Sequence, residues 1–491
     1  MREKEIIQSL HLNGNGLNNG YLNGKANGHP RRNEWKVNAS VVAKNTFNPI
    51  RDVMETMTLT PNPNKKMISL SLGDPTVYKN LNPATEVVDA VRNSLMSGSK
   101  NGYGPSTGFI EARQAVADYV SVPGAEITAD DVILCSGCSC ALDIAISTMA
   151  DAGQNILVPR PGFPIYTTLS AGQEIETREY DLLPNQDWEA DLEQMEALID
   201  QNTAAIVVNS PSNPCGSVFS VPHLKNILAI AEKYKVPIIA DEIYEHFVFP
   251  GETYVPIASL TTTVPVLSCS GLTKRFLVPG WRLGWIIIYD RNHVFDQEIR
   301  RGLMCMSQRI IGSNTFIQGA LPTILKKTPK SFFENAINVI KQNAELAFKK
   351  LRNTPGKLLF HMVPLCLVVK VLILAQSIIP CTWQAGKSIL VLWGWGNDDD
   401  DEISTFTTNY LLLGLLPIMP RGAMYMMVKV DMDRFPQFTT DLQFIEKLVS
   451  EESVHCMPGK CFNYPGYMRL VLTLPINLLT QALDRIHSFC R

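Results

Sequence analysis

Between about residue 85 and residue 350, short β-branched runs alternate with longer stretches in which apolar residues recur at helical spacing. The runs Asp131–Cys135, Asn155–Val158, Ala205–Asn209, Pro237–Asp241, Val264–Ser268 and Leu283–Tyr289 are predicted strands. Several are apolar at successive rather than alternate positions, as strands covered by helices on both faces must be. Between them, His223–Tyr234 puts Leu224, Ile227, Leu228 and Ala231 on one face of a helix. This alternation predicts an α/β domain over residues 76–350, built on a mostly parallel sheet. After Leu351 the texture changes: "GAMYMMVKVDM" reads as a strand, "DLQFIEKLVSEES" as a helix, "MRLVLTLP" as a strand, and Leu478–Cys490 as a closing helix. A smaller α+β domain over residues 351–491 is expected, joined by residues 35–75 from before the sheet.

The first 34 residues are polar, with Asn and Gly crowded into residues 12–29. Such a segment buries too little apolar surface to offset its ordering entropy, so a flexible tail is expected. It lacks the apolar core of a secretory signal, and its scarcity of acids leaves organelle (mitochondrial) targeting as the alternative to a cytoplasmic location. The net charge is −3 with no long run of Lys and Arg, which argues against nucleic acid or acidic lipid as a partner. Eleven cysteines in 491 residues are too sparse for a disulfide scaffold. Cys135, Cys138 and Cys140 lack a second pair at zinc-ligand spacing, so no metal is expected and a reducing compartment is.

Candidate chemistry concentrates after the predicted strands. In "SGLTKRFLVPGWRLGW", Lys274 follows a buried strand and points toward the crevice where open α/β sheets bind ligands. There an amine can lose its charge and attack an aldehyde, and Arg282, eight residues on, can return beside it to pair with a phosphate. "ADEIYEHF" puts Asp241 at the end of a buried run, where a carboxylate needs a partner. A protonated pyridinium nitrogen would serve, and a ring kept charged in this way takes up electrons from a substrate α-carbon. Tyr244 and the amide of Asn213, in "NSPSNPCG", can both reach the phenolate oxygen of such a ring.

Asn213, Asp241, Tyr244, Lys274 and Arg282 together resemble the ordered signature of the fold-type I aminotransferases. The intervals of 28, 33 and 8 residues from Asn213 through Asp241 and Lys274 to Arg282 suit that family. The resemblance implies an α/β fold of that type, pyridoxal 5'-phosphate as cofactor, and Lys274, Asp241 and Tyr244 as the catalytic set. It further implies that Gly137, Cys138 and Ser139 in "SGCSC" cradle the phosphate from a helix N-terminus. By the same resemblance Phe163 in "PRPGFPIY" stacks on the ring with Tyr166 nearby. Tyr103 in "NGYGPSTG" would reach the phosphate of a second copy, so a homodimer with shared active sites is implied. Arg469 in "YPGYMRLVLTLP", Gly73 in "SLGDP" and Asn213 would bind the substrate α-carboxylate.

The similarity covers roughly residues 35–356 and 415–491. Longer stretches such as "TFNPIR", "PNPNKKMISLSLGDPT" and "RGAMYMMV" are similar to the branch of the family that acts on tyrosine in animals. L-tyrosine as donor and 2-oxoglutarate as acceptor are implied, with no membrane association. A β-eliminating lyase of the same fold shares the Lys274, Asp241 and Arg469 chemistry and is the alternative.

Residues 357–414 depart from the family. "CLVVKVLILAQSIIPC" and "LVLWGWGNDDDDE" have neither helix caps nor a clean period, and joining Gly356 to Leu415 restores a family-like sequence. The segment reads as a retained intron or gene-structure artefact, and a non-catalytic isoform is the corresponding functional alternative. A membrane span over Phe360–Trp383 is rejected on topology. It would separate Lys274 from Arg469 although one substrate must touch both, and the run Ile389–Trp395 is too short to cross back.

Overall fold

Residues 35, 37–56, 59–354 and 414–491 are described by the computed structural model. The chain divides into a unit of residues 1–41, whose described residues are exposed, and a unit of residues 42–491. The expected tail (1–34) and, apart from Gly414, the atypical segment 357–414 lie outside the described residues.

In the second unit, Ile68–Ser69 (β1) opens the strand order, and eight strands follow in one sheet. They are Val132–Cys135 (β2), Asn155–Arg160 (β3), Glu176–Leu183 (β4), Glu189–Ala190 (β5), Thr203–Asn209 (β6), Ile238–Asp241 (β7), Val266–Gly271 (β8) and Gly284–Tyr289 (β9). Their spatial order is β2-β9-β8-β7-β6-β3-β4-β5. The four central pairings, from β8 through β7, β6 and β3 to β4, are parallel, and the outer ones are antiparallel. β2, β7, β8 and β9 are buried at every position, which accounts for their unbroken apolar runs. Successive side chains feed two apolar layers: Ile133, Ile156 and Ile239 face one, and Leu134, Leu157 and Ile238 face the other.

All six predicted strands are present, each within a few residues of its expected ends. β4 and β5 were not foreseen. "ETREYDLL" carries charges because β4 lies near the sheet edge and is only partly buried, so no apolar run marks it. The helix Val221–Tyr234 starts where the Ser220 side chain accepts the His223 N–H at 3.3 Å, and ends at Lys235 in a left-handed conformation.

The second sheet is antiparallel, with Leu415–Pro417 (β10), Tyr425–Val430 (β11), Met457–Pro458 (β13) and Tyr467–Val471 (β14) in the order β10-β11-β14-β13. β1 pairs in parallel with Val454–His455 (β12), and the Val471 N–H donates to the Leu70 carbonyl at 2.8 Å. The segment around residue 70 is thereby stitched to a sheet nearly 400 residues later in the chain. The helices Asp441–Glu452 and Ile476–Cys490 match the periodicity read from the sequence. Where the atypical segment departs, the Gly414 N–H donates to the Thr354 carbonyl at 3.2 Å, so its two flanks meet. Among the described residues no helix is long and apolar enough to cross a membrane.

Candidate active site

A cleft of about 560 Å³ opens at the carboxyl ends of β6, β7 and β8, and Lys274, Asp241, Asn213, Tyr244, Arg282, Phe163, Gly73 and Arg469 all line it. Parallel strands end there together, which is why residues far apart in sequence converge. Asp241, the last residue of β7, is 2% exposed. Its Oδ2 accepts the Tyr166 hydroxyl at 2.6 Å, and its Oδ1 accepts the Ile243 N–H at 3.3 Å and the Cys138 thiol at 3.8 Å. Burial pushes its pKa up, against these hydrogen bonds and the Lys274 charge. A cation placed against this carboxylate keeps it ionised.

Lys274 lies three residues beyond β8, and its Nζ donates to the Gly73 carbonyl at 2.6 Å. Asn213 follows β6 and is anchored by its N–H to Asn209 Oδ1 at 2.9 Å, while Asn209 Nδ2 donates to the Asp241 carbonyl at 2.9 Å. Opposite stands Arg469 of β14, 2% exposed. One terminal nitrogen donates to Asn213 Oδ1 at 2.9 Å and the other to the Ser71 carbonyl at 2.6 Å. Its Nε is buried with no hydrogen-bond partner, and burial lowers its pKa.

The helix Cys138–Met149 begins beside Arg282. Gly137 departs from its expected role, because its N–H already donates to the Cys135 carbonyl at 2.8 Å and is committed to the turn. What the position requires is glycine itself: φ is +84°, and a Cβ would stand 2.5 Å from an Arg282 terminal nitrogen. The Cys138 and Ser139 N–H groups belong to the first helical turn, which offers no intrahelical acceptor. With the Arg282 guanidinium beside them on the cleft lining, they make an arrangement able to receive an anion. Phe163 lies on the wall of the cleft with its ring edge-on to Tyr166 at 6.1 Å. Tyr103 does not reach this cleft's lining and is 90% exposed.

The chain matches the aminotransferase class I and II family over residues 65–364 and 403–486. It belongs to that family. The interruption of the match, 365–402, falls inside the atypical segment. The aminotransferase is 45% identical to a human tyrosine aminotransferase over 99% of its own length and 93% of the relative's. It is 33% identical to an S-alkyl-thiohydroximate lyase of Arabidopsis thaliana, over 87% and 80% of the two chains. The crystal structure of a tyrosine aminotransferase from Leishmania infantum superposes with a TM-score of 0.76 at 29% identity, covering 93% of this chain and 98% of that one.

The fold is therefore fold-type I, and the enzyme is a pyridoxal 5'-phosphate-dependent transaminase. The cleft fits that cofactor on its own chemistry. It supplies an amine at Lys274, a buried carboxylate at Asp241, a guanidinium at Arg282 given room by the missing Cβ of Gly137 beside a helix N-terminus, and an aromatic wall at Phe163.

Two residues escaped the sequence reading in their actual roles. Tyr166 is the direct partner of Asp241 as well as the expected neighbour of Phe163. Tyr425 of β11 was seen only as a strand residue, yet its hydroxyl lies 2.6 Å from that of Tyr244 and its ring 4.3 Å from the Arg469 guanidinium. A tyrosine among "MYMMV" is indistinguishable from core without the pairing that turns it inward.

Proposed function

We propose that this aminotransferase transfers the amino group of L-tyrosine to 2-oxoglutarate, giving 4-hydroxyphenylpyruvate and glutamate. The observation that carries the reading is that Lys274 and Arg469 face one cleft in a chain so similar to tyrosine aminotransferases along its length. Arg469 receives the α-carboxylate, which both donor and acceptor possess, through a planar guanidinium already steadied by Asn213 and Ser71. Gly73 and Asn213 flank that carboxylate. Pyridoxal phosphate, when bound, supplies an aldehyde that accepts the amino group and a ring that takes up the electrons released at the α-carbon.

Lys274 Nζ would take the substrate α-proton as general base and give it back as general acid. The Asp241 carboxylate, fixed by Tyr166, holds a proton on the ring nitrogen. With Oδ1 of Asn213 engaged by Arg469, its Nδ2 is left to donate to the phenolic oxygen, as does the Tyr244 hydroxyl. Arg282, Cys138 and Ser139 take the phosphate, and Phe163 packs on the ring. Arg51 at the rim is the cation offered to the acceptor's distal carboxylate. The active form is a homodimer in which the exposed Tyr103 completes a second copy's phosphate site, and exposed Ile310 and Ile311 support such a contact. Cys135, Cys138, Cys215, Cys269, Cys456 and Cys461 are buried as thiols, which supports a reducing, cytoplasmic setting.

The test is to supply the full chain with cofactor, tyrosine and 2-oxoglutarate, and in parallel with cystine. Equal amounts of 4-hydroxyphenylpyruvate and glutamate are expected. Pyruvate and ammonia from cystine without keto acid from tyrosine would assign the chain to the lyases instead.

A further inference from the structure

Four segments converge on the Tyr425 hydroxyl. Tyr244, from the loop after β7, meets it at 2.6 Å, with the two rings edge to face at 5.8 Å. Arg469 of β14 lies against its ring at 4.3 Å. Gly73 packs so closely that a Cβ there would collide with the hydroxyl. Lys274, whose Nζ is bonded to that same Gly73, lines the same cleft, and its charge acts on the phenol. Tyr425 is 2% exposed and Tyr244 1%, so water does not compete for either hydroxyl. Burial raises the Tyr425 phenol, but the charges of Lys274 and Arg469 and the hydrogen bond with Tyr244 outweigh it and hold its pKa below the ordinary tyrosine value. Tyr244 shifts the other way, raised by burial and by its neighbour Tyr425. Tyr425, the more acidic phenol, is accordingly the donor of the pair and Tyr244 the acceptor, which leaves the Tyr244 O–H for the phenolic oxygen.

We infer that Tyr425 is a positioning residue that ties the carboxylate receptor Arg469 to the Tyr244 hydroxyl and the Lys274 amine, so that filling Arg469 with a carboxylate is felt at Lys274. An anion that neutralises Arg469 removes one of the two charges polarising Tyr425. Its O–H becomes a weaker donor to Tyr244, and its oxygen attracts the Lys274 charge more firmly. The inference rests on the proposed roles of Lys274, Tyr244 and Arg469. Asn213, also bonded to Arg469, offers a parallel route, so a remnant of the coupling survives loss of Tyr425.

The experiment uses the full-length holoenzyme, its Tyr425→Phe and Tyr244→Phe variants and the double variant. The absorbance of bound cofactor is titrated against pH with and without 3-(4-hydroxyphenyl)propanoate, a carboxylate with no amine to react. The anion is expected to raise the titration midpoint in the parent enzyme, because a nearby negative charge favours protonation. Tyr425→Phe should cut that shift by about half or more and lower kcat about tenfold, with KM for tyrosine within about threefold. Because part of the action of Tyr425 runs through Tyr244, the double variant should lose clearly less than the product of the two single effects. An undiminished shift in Tyr425→Phe, or effects that multiply in the double variant, would overturn the inference. Should Tyr425→Phe fail to fold, Tyr244→Phe removes the same hydrogen bond and must itself reduce the shift. A parent enzyme with no anion-dependent shift also overturns it, and tyrosine transamination by the same preparation shows separately whether the proposed function stands.

Discussion

At the floor of the cleft the buried charges are carboxylates, whereas at the far wall the large buried charge is a guanidinium. Asp241, Glu242 and Glu245 are all nearly inaccessible around the end of β7, and burial pushes each of their pKa values up, that of Glu245 to about 7. Arg469 is equally buried in β14, and burial pulls its pKa down. Each side thus holds a charge its surroundings disfavour, and each is relieved by a ligand group of opposite sign. A ring cation suits the floor and an α-carboxylate suits the wall, so the cleft orients a cofactor–substrate pair before any bond changes. The two sides also differ in support. Asp241 is held by three donors, including the Tyr166 hydroxyl, while Arg469 keeps Nε unpaired. The floor is set for catalysis and the wall for binding, and substitutions should separate the two.

The largest effect is expected at Lys274, which serves both sides. Lys274→Ala should bind cofactor but lose about 10³-fold or more in turnover, the range for removing a general acid–base group. Borohydride reduction of the parent holoenzyme, followed by peptide mapping, should place a phosphopyridoxyl group on Lys274. Label on another lysine would remove the assignment.

Next comes the floor. Removing one member of a buried charged pair costs about 3–5 kcal/mol, so Asp241→Asn should lower turnover by about a hundredfold or more and weaken cofactor retention. At the wall, Arg469→Ala should act on affinity instead, raising KM for tyrosine and for 2-oxoglutarate together by about ten- to a hundredfold. Arg469→Lys should recover only part of this, because an ammonium lacks the planar fork. Unchanged affinity for both substrates would break the distinction between floor and wall. Tyr166→Phe sharpens it: losing one hydrogen bond to a charged group costs about 1.5–3 kcal/mol, so turnover should fall by less than in Asp241→Asn while KM changes little.

The floor was legible in the sequence because each of its residues follows a strand that is buried on both faces and therefore announces itself as an apolar run. Asn213, Asp241 and Lys274 could be placed on strand ends by that pattern alone. The wall is assembled from Gly73, Tyr425 and Arg469, residues brought together by β11–β14 pairing and by the joining of residue 70 to β14. No local pattern carries that register, so Arg469 and Gly73 came from family resemblance and Tyr425 did not come at all. Tyr166 escaped for a related reason: "PIYTTL" shows an aromatic on a short helix, and only the fold reveals that its hydroxyl crosses to β7. Gly137 was read for its N–H, but its turn consumes that group, and the space left by its missing side chain is taken by the Arg282 guanidinium.

The smallest effect is expected from removing the atypical segment, and it bears on floor and wall alike because neither draws a proposed residue from it. The structure also refines where to cut. Gly414 is worth keeping, since its N–H donates to the Thr354 carbonyl at 3.2 Å and its own carbonyl accepts the Asp431 N–H at 3.0 Å. Deleting residues 357–413 leaves Thr354, Pro355, Gly356 and Gly414 in sequence. The Thr354–Gly414 hydrogen bond then closes a four-residue turn with proline at its second position and glycine at its third, the arrangement a type II turn favours. Closing so short a loop also spares ordering entropy, though lengthening a loop costs only about 0.6 kcal/mol per doubling, so the gain in stability is modest. The larger gain should be in soluble yield, because "LCLVVKVLIL" and "ILVLWGW" combine β-propensity with little charge, a composition prone to aggregation. Turnover per bound cofactor, the cofactor spectrum and KM for both substrates should match those of the full chain. Should the shortened enzyme lose activity or cofactor while the full chain is soluble and active, the segment is a working part of the protein and the retained-intron reading falls. Activity in the shortened form alone would instead identify the full chain as the inactive isoform.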